Sequence, residues 1–344
     1  MMNIFLTFDY ELYFGSRSGS CQNSILRPVD ALLSILDNYN VKATFFVDAG
    51  YLCKLEEYSN ISDVVASEYC AIKSNIQKLF RDGHSIQLHI HPHWEDCSFN
   101  DGEWVMDTSR FRLASFSDKD VKSIVGRYKE QLVSVVDDAE HVFAYRAGGW
   151  CIQPFDKIKN ALLENKIWLD STLYFNGKSN SETHCFNFCG MPNKLSYHFE
   201  DDPLVECGYG KFLEVPIASY KVPALFFWKL LVAKKLGGRL HTTYGDGSAA
   251  GAGILDKLRM LLMSTHSVVS VDGYKSSFLA DAFDHYCEHF SGGEFVVIGH
   301  PKAFSQYSLS KLDSFLAYST KNHSFGTFTP NYFARFKNNG MNKL

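Results

Sequence analysis

Four histidines fall within ten residues in the run Gly83-His84-Ser85-Ile86-Gln87-Leu88-His89-Ile90-His91-Pro92-His93-Trp94, a density that packing alone does not explain. Imidazole nitrogen is a good ligand for zinc and similar divalent ions. Geometry constrains which pair could share one ion. Residues four apart in a continuous strand are separated by ~13 Å, whereas two nitrogens on one zinc lie only ~3.4 Å from each other. His89 and His93 can therefore co-ligate only if the strand ends and turns near Pro92, whereas His89 and His91 need less bending. Asp9 and Glu11 sit two apart at the end of an apolar run, so both carboxylates project from one strand face. Such a pair can divide the work, one binding a metal and the other moving protons.

Three further patches close apolar runs. Arg146 stands beside Gly148 and Gly149, where the backbone can approach a ligand closely. Asp170 ends the run Trp168-Leu169-Asp170, and His300 follows Val296-Val297-Ile298-Gly299. Each alone reads as a cap or a hydrogen-bonded core residue. Their common place at strand ends, together with the histidine run, gives them weight, because parallel α/β folds collect active sites at the C-terminal ends of strands.

The elements that must position these residues alternate through the first half. Ile4–Tyr10, Ala43–Val47 and His84–His91 read as strands, followed by strands near Val142–Tyr145 and Ile167–Ser171. Between them, apolar residues recur at spacings of three and four from Val29 to Leu36, Val65 to Phe80 and Val121 to Leu132, with a further helix around Phe155–Asn165. Repeated βαβ units demand a parallel sheet covered by helices, hence an α/β barrel or open sheet. From Tyr174 the pattern loosens. Asn176–Asn180 and Tyr244–Gly253 read as loops, Phe212–Ile217 and Val268–Val271 as strands, and Phe295–Ile298 as the final strand. Helices are expected at Ala224–Leu236, Leu255–Ser264, Ser277–Phe290 and Leu309–Ser319.

Composition is that of an ordinary globular chain, 46% apolar and 21% charged, and the net charge of −4 comes with no basic block, so nucleic acid is not an expected partner. No stretch approaches the ~20 apolar residues of an integral membrane span. The start lacks a signal-peptide layout, which makes the cytoplasm the expected location, with peripheral contact to the inner membrane as a further expectation. The nine cysteines are then expected to be reduced thiols. Helix Ala224–Leu236, with Phe226, Phe227 and Trp228 ahead of Lys229, Lys234 and Lys235, reads first as a core helix with a solvated basic end. Its second reading is a surface that touches a membrane carrying a lipid-linked sugar.

Taken in order, the patches resemble the motifs of the polysaccharide deacetylase (NodB-homology, carbohydrate esterase family 4) family. Thr7-Phe8-Asp9-Tyr10-Glu11 resembles the opening aspartate motif, in a variant that places the metal carboxylate at Glu11 rather than at the position of Tyr10. Gly83–His93 resembles the His-x-x-x-His metal motif, which selects His89 and His93. Arg146–Gly149, Asp170-Ser171 and Ile298-Gly299-His300 resemble the remaining three. The resemblance implies an α/β fold, a distorted, incomplete (β/α) barrel with an elaborated C-terminal half. It also implies one catalytic domain over 1–344, with an insertion-like segment at about 175–293.

By the same resemblance, Glu11, His89 and His93 hold Zn²⁺ or another divalent metal. Asp9 is the general base, paired with Arg146. His300 is the acid that protonates the leaving amine, oriented by Asp170, and a backbone N–H near Gly149 helps stabilise the oxyanion. Trp94 and Trp150 flank the site and could stack on a sugar ring, with ordinary packing an equal alternative for each. The expected activity is hydrolysis of a non-peptide amide, removal of an N-acyl group, acetyl first, from a sugar or a nucleotide- or lipid-linked precursor of surface polysaccharide. The alternatives are deformylation or another amide hydrolysis on the same fold, and a non-catalytic glycan-binding protein. Retention of both Asp9 and His300 argues against the last.

Overall fold

The first strand, β1 (Met2–Tyr10), is apolar and enclosed: Ile4, Phe5, Leu6 and Phe8 have no exposed surface. A strand buried on both faces needs neighbours on both sides and helices above and below. The protein is described by a computed structural model covering residues 1–181, 183–250 and 253–336. After β1 come α1 (Arg27–Asn38), β2 (Thr44–Asp48), α2 (Ala49–Ser59), α3 (Asp63–Arg81), β3 (Ser85–Ile90), α4 (Asp118–Val136), β4 (Ala144–Ala147), α5 (Asp156–Glu164) and β5 (Leu169–Asp170). Strands β1 to β5 lie side by side in chain order and all parallel, as the βαβ alternation requires. Local chemistry sets the helix ends. Ser62 caps α3 by accepting from the Val65 N–H, Asp63 stands in its first turn, and Lys78 and Arg81 in its last.

The second half supplies β6 (Tyr197–Phe199), β7 (Phe212–Glu214), β8 (Ser219–Val222), α6 (Ala224–Leu236), α7 (Ile254–Leu262), β9 (Thr265–Val268), α8 (Leu279–His289), β10 (Gly293–Gly299), α9 (Gln306–Ser319) and β11 (Ser324–Gly326). β7 joins β5 in parallel, with β6 antiparallel at its far edge, while β10 takes the other side of β1. Beyond β7 the chain crosses to β10: Ile217 bridges both Tyr174 and Val296, and the Ala218 N–H donates to the Val296 carbonyl at 2.8 Å. Residues after β9 also pair there, the Val271 N–H donating to the Ile298 carbonyl at 2.9 Å. These few bonds close the curled sheet into a distorted barrel.

Several expectations need adjustment. The strand series does not end with Phe295–Ile298, because β11 pairs Asn3–Phe5 of β1 where β2 does not reach. Part of the loop expected at Asn176–Asn180 is a small hairpin, Lys178–Asn180 against Cys185–Asn187. In Tyr244–Gly253, residues 251 and 252 lie outside the described residues. Helix α6 is not a core helix. Phe226 and Phe227 are buried, but Leu225, Trp228 and Leu236 face outward. All nine cysteines are free, and among the described residues no helix is long and apolar enough to cross a membrane.

Candidate active site

Parallel register brings the strand ends together. Asp9 is buried on β1, and Arg146 of β4 reaches it with an Nη1–Oδ1 distance of 2.6 Å. The other guanidinium donors are held as well, Nε by the Ser171 carbonyl at 2.7 Å and Nη2 by Thr7 Oγ1 at 3.0 Å, while the plane lies over the Phe46 ring. An arginine held at all three of its nitrogens is rigid, so Asp9 Oδ1 is pinned. Its Oδ2 points the other way, 3.8 Å from His89 Nε2 and 3.6 Å from His300 Nε2.

Glu11 sits where two imidazoles converge: its Oε2 is 3.0 Å from His89 Nε2 and 2.6 Å from His91 Nε2. The ligand-type atoms of Glu11, His89 and His91 all lie within 4.8 Å of one another. His89 Nδ1 bonds the Arg146 carbonyl at 2.9 Å, which fixes the tautomer and leaves Nε2 facing inward. Burial holds His91 down at about 4, so it is neutral and available as a ligand. At His89 burial pushes the same way, but Asp9 and Glu11 outweigh it and raise the ring to about 9. Two neutral-capable imidazoles and a carboxylate form a donor set of the type a zinc-like ion takes, and the residues present fit a divalent metal. Another trio of ligand-type groups, His285, Glu288 and His289, lies exposed on α8.

The structure brings His91, not His93, to Glu11 and His89. β3 ends at Ile90, and His91 is still extended at φ −109°, ψ 96°, so it lies on the same strand face as His89. Pro92 then begins a short 3₁₀ turn, Pro92–Asp96, that drops His93 behind His91. The His93 ring is stacked on Phe111 at 5.0 Å, and neither of its nitrogens has a hydrogen-bond partner. Gly148 makes room for the arrangement, since a Cβ there would stand 2.4 Å from His91 Nδ1.

His300, at the end of β10, is oriented by Asp272 and not by Asp170. Asp272 Oδ2 is 2.7 Å from His300 Nδ1, and its Oδ1 accepts the His300 backbone N–H at 2.7 Å. Burial disfavours the imidazolium, yet Asp272, Asp9 and Glu11 together raise the ring above its ordinary value. Asp170 is turned away, accepting from Thr172 Oγ1 at 2.7 Å and lying beside Glu214 in the β5–β7 register. Burial raises both of these carboxyls, and for Glu214 the Asp170 charge raises it further.

Lys302, which sequence reasoning missed, places Nζ 2.9 Å from Glu11 Oε1 and lies over the Phe14 ring. Burial opposes the Glu11 charge, but Lys302 and the two histidines hold its carboxyl well below the usual range. Nothing in the sequence marks Lys302 beyond its place two residues after His300. Asp272 had a signal: it ends Val268–Val271, a run already legible as a strand.

These groups line a cleft of about 430 Å³. Trp150 lines it, with Tyr174 5.9 Å away ring to ring. Trp94 does not. It is fully buried, donating Nε1–H to Asp48 Oδ2 at 2.7 Å, and cannot reach a sugar. Gly149 lines the cleft at φ +58°, and a Cβ there would stand 2.4 Å from the Thr183 carbonyl. Glycine is required on both counts. Among the described residues, the cleft lining contains five Lys or Arg residues (Arg146, Lys178, Arg259, Lys275 and Lys302) and two carboxylates, Asp9 and Glu11.

The polysaccharide deacetylase family model matches residues 3–162, the stretch that holds Asp9, Glu11, the histidine run and Arg146. A putative polysaccharide deacetylase from Mycobacterium smegmatis shares the fold at 19% identity and TM-score 0.52, covering 100% of this chain and 91% of that chain. PuuE allantoinase is similar at 13% identity and TM-score 0.50, covering 97% and 89%. No curated protein matches. Residues 3–162 thus match the polysaccharide deacetylase, or NodB-homology, family, and the fold of the chain is that of its structural neighbours. That match implies a hydrolase acting on amide bonds of sugars.

Proposed function

We propose that the protein is a metal-dependent hydrolase that removes an N-acyl group, acetyl first, from a sugar carried on a phosphate-bearing precursor of surface polysaccharide, and that residues 1–344 act as one catalytic unit. The observation that carries this reading is the facing of Asp9 Oδ2 and His300 Nε2, 3.6 Å apart, beside the grouped donors of Glu11, His89 and His91. Glu11, His89 and His91 would hold the ion, zinc or another divalent cation. When bound, it supplies Lewis-acid polarisation of the amide carbonyl and a more acidic water.

The chain's own residues do the rest. Asp9 Oδ2 accepts the proton of the attacking water, while Arg146 keeps the carboxylate charged and fixes its direction. His300 donates from Nε2 to the departing amine, and Asp272 at Nδ1 fixes the tautomer and favours the imidazolium. The Gly149 region offers backbone N–H groups toward the oxyanion. Binding of the precursor is supported by the cleft. Arg146 and Lys302 are matched by Asp9 and Glu11, so among the described lining residues Lys178, Arg259 and Lys275 are a surplus of three cations (5 − 2), Lys275 with the Asp272 charge near it, in a chain whose net charge is −4. Such a surplus suits a phosphate or diphosphate, and Trp150 and Tyr174 offer faces to the sugar.

The test is amine release from N-acylated nucleotide sugars and N-acylated lipid-linked sugars, beside neutral N-acetylglucosamine oligomers and formamido sugars. Turnover of a phosphate-bearing acetamido sugar that a chelator abolishes and zinc restores supports the reading. Equal turnover of neutral oligomers removes the precursor assignment, and full activity in chelator removes the metal.

A further inference from the structure

Helix α6 carries apolar residues on all sides, interrupted by Lys229, Lys234 and Lys235. Phe226 and Phe227 pack inward, yet Leu225, Trp228, Val232 and Leu236 remain 62%, 51%, 56% and 81% exposed. Their spacing of three and four sets them in one stripe ~16 Å long. Helix α7 packs beside α6, tied by the Trp228 Nε1–H donating to the Leu261 carbonyl at 3.0 Å, and widens the stripe with Leu258 and Leu262. Of the sixteen exposed large apolar residues among the described residues, nine fall between 225 and 263. A contiguous exposed apolar patch of this kind marks an interaction surface.

Charge says what the cover is. Residues 224–263 contain six Lys or Arg and two Asp, a surplus of four positive charges (6 − 2) in a chain of net −4. Lys229, Lys234, Lys235 and Arg239 are all exposed on α6 or just past its end. Apolar side chains ringed by lysines match the boundary of an anionic bilayer, where acyl chains meet negative headgroups. A second copy of the chain fits poorly, because a two-fold interface would set these cations against one another. The inner side of the same helix pair lines the cleft through Phe227 and Met260, so the outer face and the active site share one wall.

We propose that α6 and α7 dock the enzyme on an anionic membrane surface, with the apolar stripe seated at the headgroup boundary and the cleft opening beside it. The inference rests on the phosphate-bearing-precursor reading for what the docked enzyme acts on, a lipid-linked sugar, but docking itself is measurable without turnover. Sedimentation with vesicles of phosphatidylglycerol mixed with phosphatidylcholine, compared with phosphatidylcholine alone, reads it directly. The wild-type chain is expected to bind the anionic vesicles, more weakly at high salt, with Trp228 quenched by bromine-labelled acyl chains.

Leu225→Gln, Val232→Gln and Leu236→Gln combined should lower partitioning at least about tenfold while leaving hydrolysis of a water-soluble substrate unchanged. Lys234→Glu with Lys235→Glu should do the same for anionic vesicles, and it covers the case of a misfolded triple variant. The proposal is overturned if the wild-type chain ignores anionic vesicles at low salt, if either variant binds them as wild type does, or if the stripe instead mediates a dimer that the triple variant abolishes. Binding without any amine release would leave docking standing and remove the proposed reaction.

Discussion

At the C-terminal ends of β1, β3 and β4, the side chains of Asp9, Glu11, His89 and Arg146 are buried, and each is fixed by contacts from another strand. Across the cleft, α6 and α7 present a wall whose outer face leaves large apolar groups in water. The floor holds charges in a low-dielectric setting, where a lost partner leaves a group uncompensated and costs several kcal/mol. Among its described residues the wall has no such network, so its substitutions should alter what reaches the floor rather than what happens there.

That contrast can be broken from the floor outward. The largest expected effect is Asp9→Asn, which removes the proposed base and should lower turnover at least ~10²-fold while metal content persists. Near-normal turnover would move the base elsewhere. Asp272→Asn comes next. Removing the carboxylate makes His300 easier to deprotonate, so the alkaline arm of the pH–rate profile should move to lower pH, whereas Asp170→Asn should leave that arm in place. An unmoved arm in the Asp272 variant, with chemistry rate-limiting, would remove the proposed acid.

Elsewhere in the cleft lining, Lys275→Gln should raise KM for a phosphate-bearing substrate roughly tenfold and leave kcat nearly unchanged. A fall in kcat alone would place Lys275 in the chemistry. The smallest effect is on stability. Glu214 is held above the carboxylate range by burial and by Asp170, so its contribution is complete below its unfolded pKa and is lost as pH rises toward the folded value. Glu214→Gln should therefore gain thermal stability relative to wild type as pH is raised from acidic to neutral. A constant difference would show that Glu214 does not titrate across that range.

Much of the floor was legible because strands carry chemistry in a readable period. Asp9 and Glu11 alternate with apolar neighbours on β1, and the βαβ rhythm from Ile4 to Asp170 fixes which strand ends meet. The ligand choice was not, since it depends on where the chain bends. Extended backbone at His91 followed by a turn at Pro92 puts one imidazole forward and the next behind, and the composition His-Ile-His-Pro-His permits either outcome. The partner of His300 was hidden for another reason. Asp272 and Asp170 both end strand-like runs, and only the closure through Ile217 and Val271 decides which one reaches β10. Apolar residues fall on all sides of α6, between its three lysines, so its periodicity could not say which face would be left in water.

The central claim, that Glu11, His89 and His91 form the metal set, is tested most directly by metal content per chain in purified His91→Ala and His93→Ala proteins. The geometry predicts that His91→Ala loses most of its bound metal and that His93→Ala keeps nearly all of it. The reverse pattern would contradict the account.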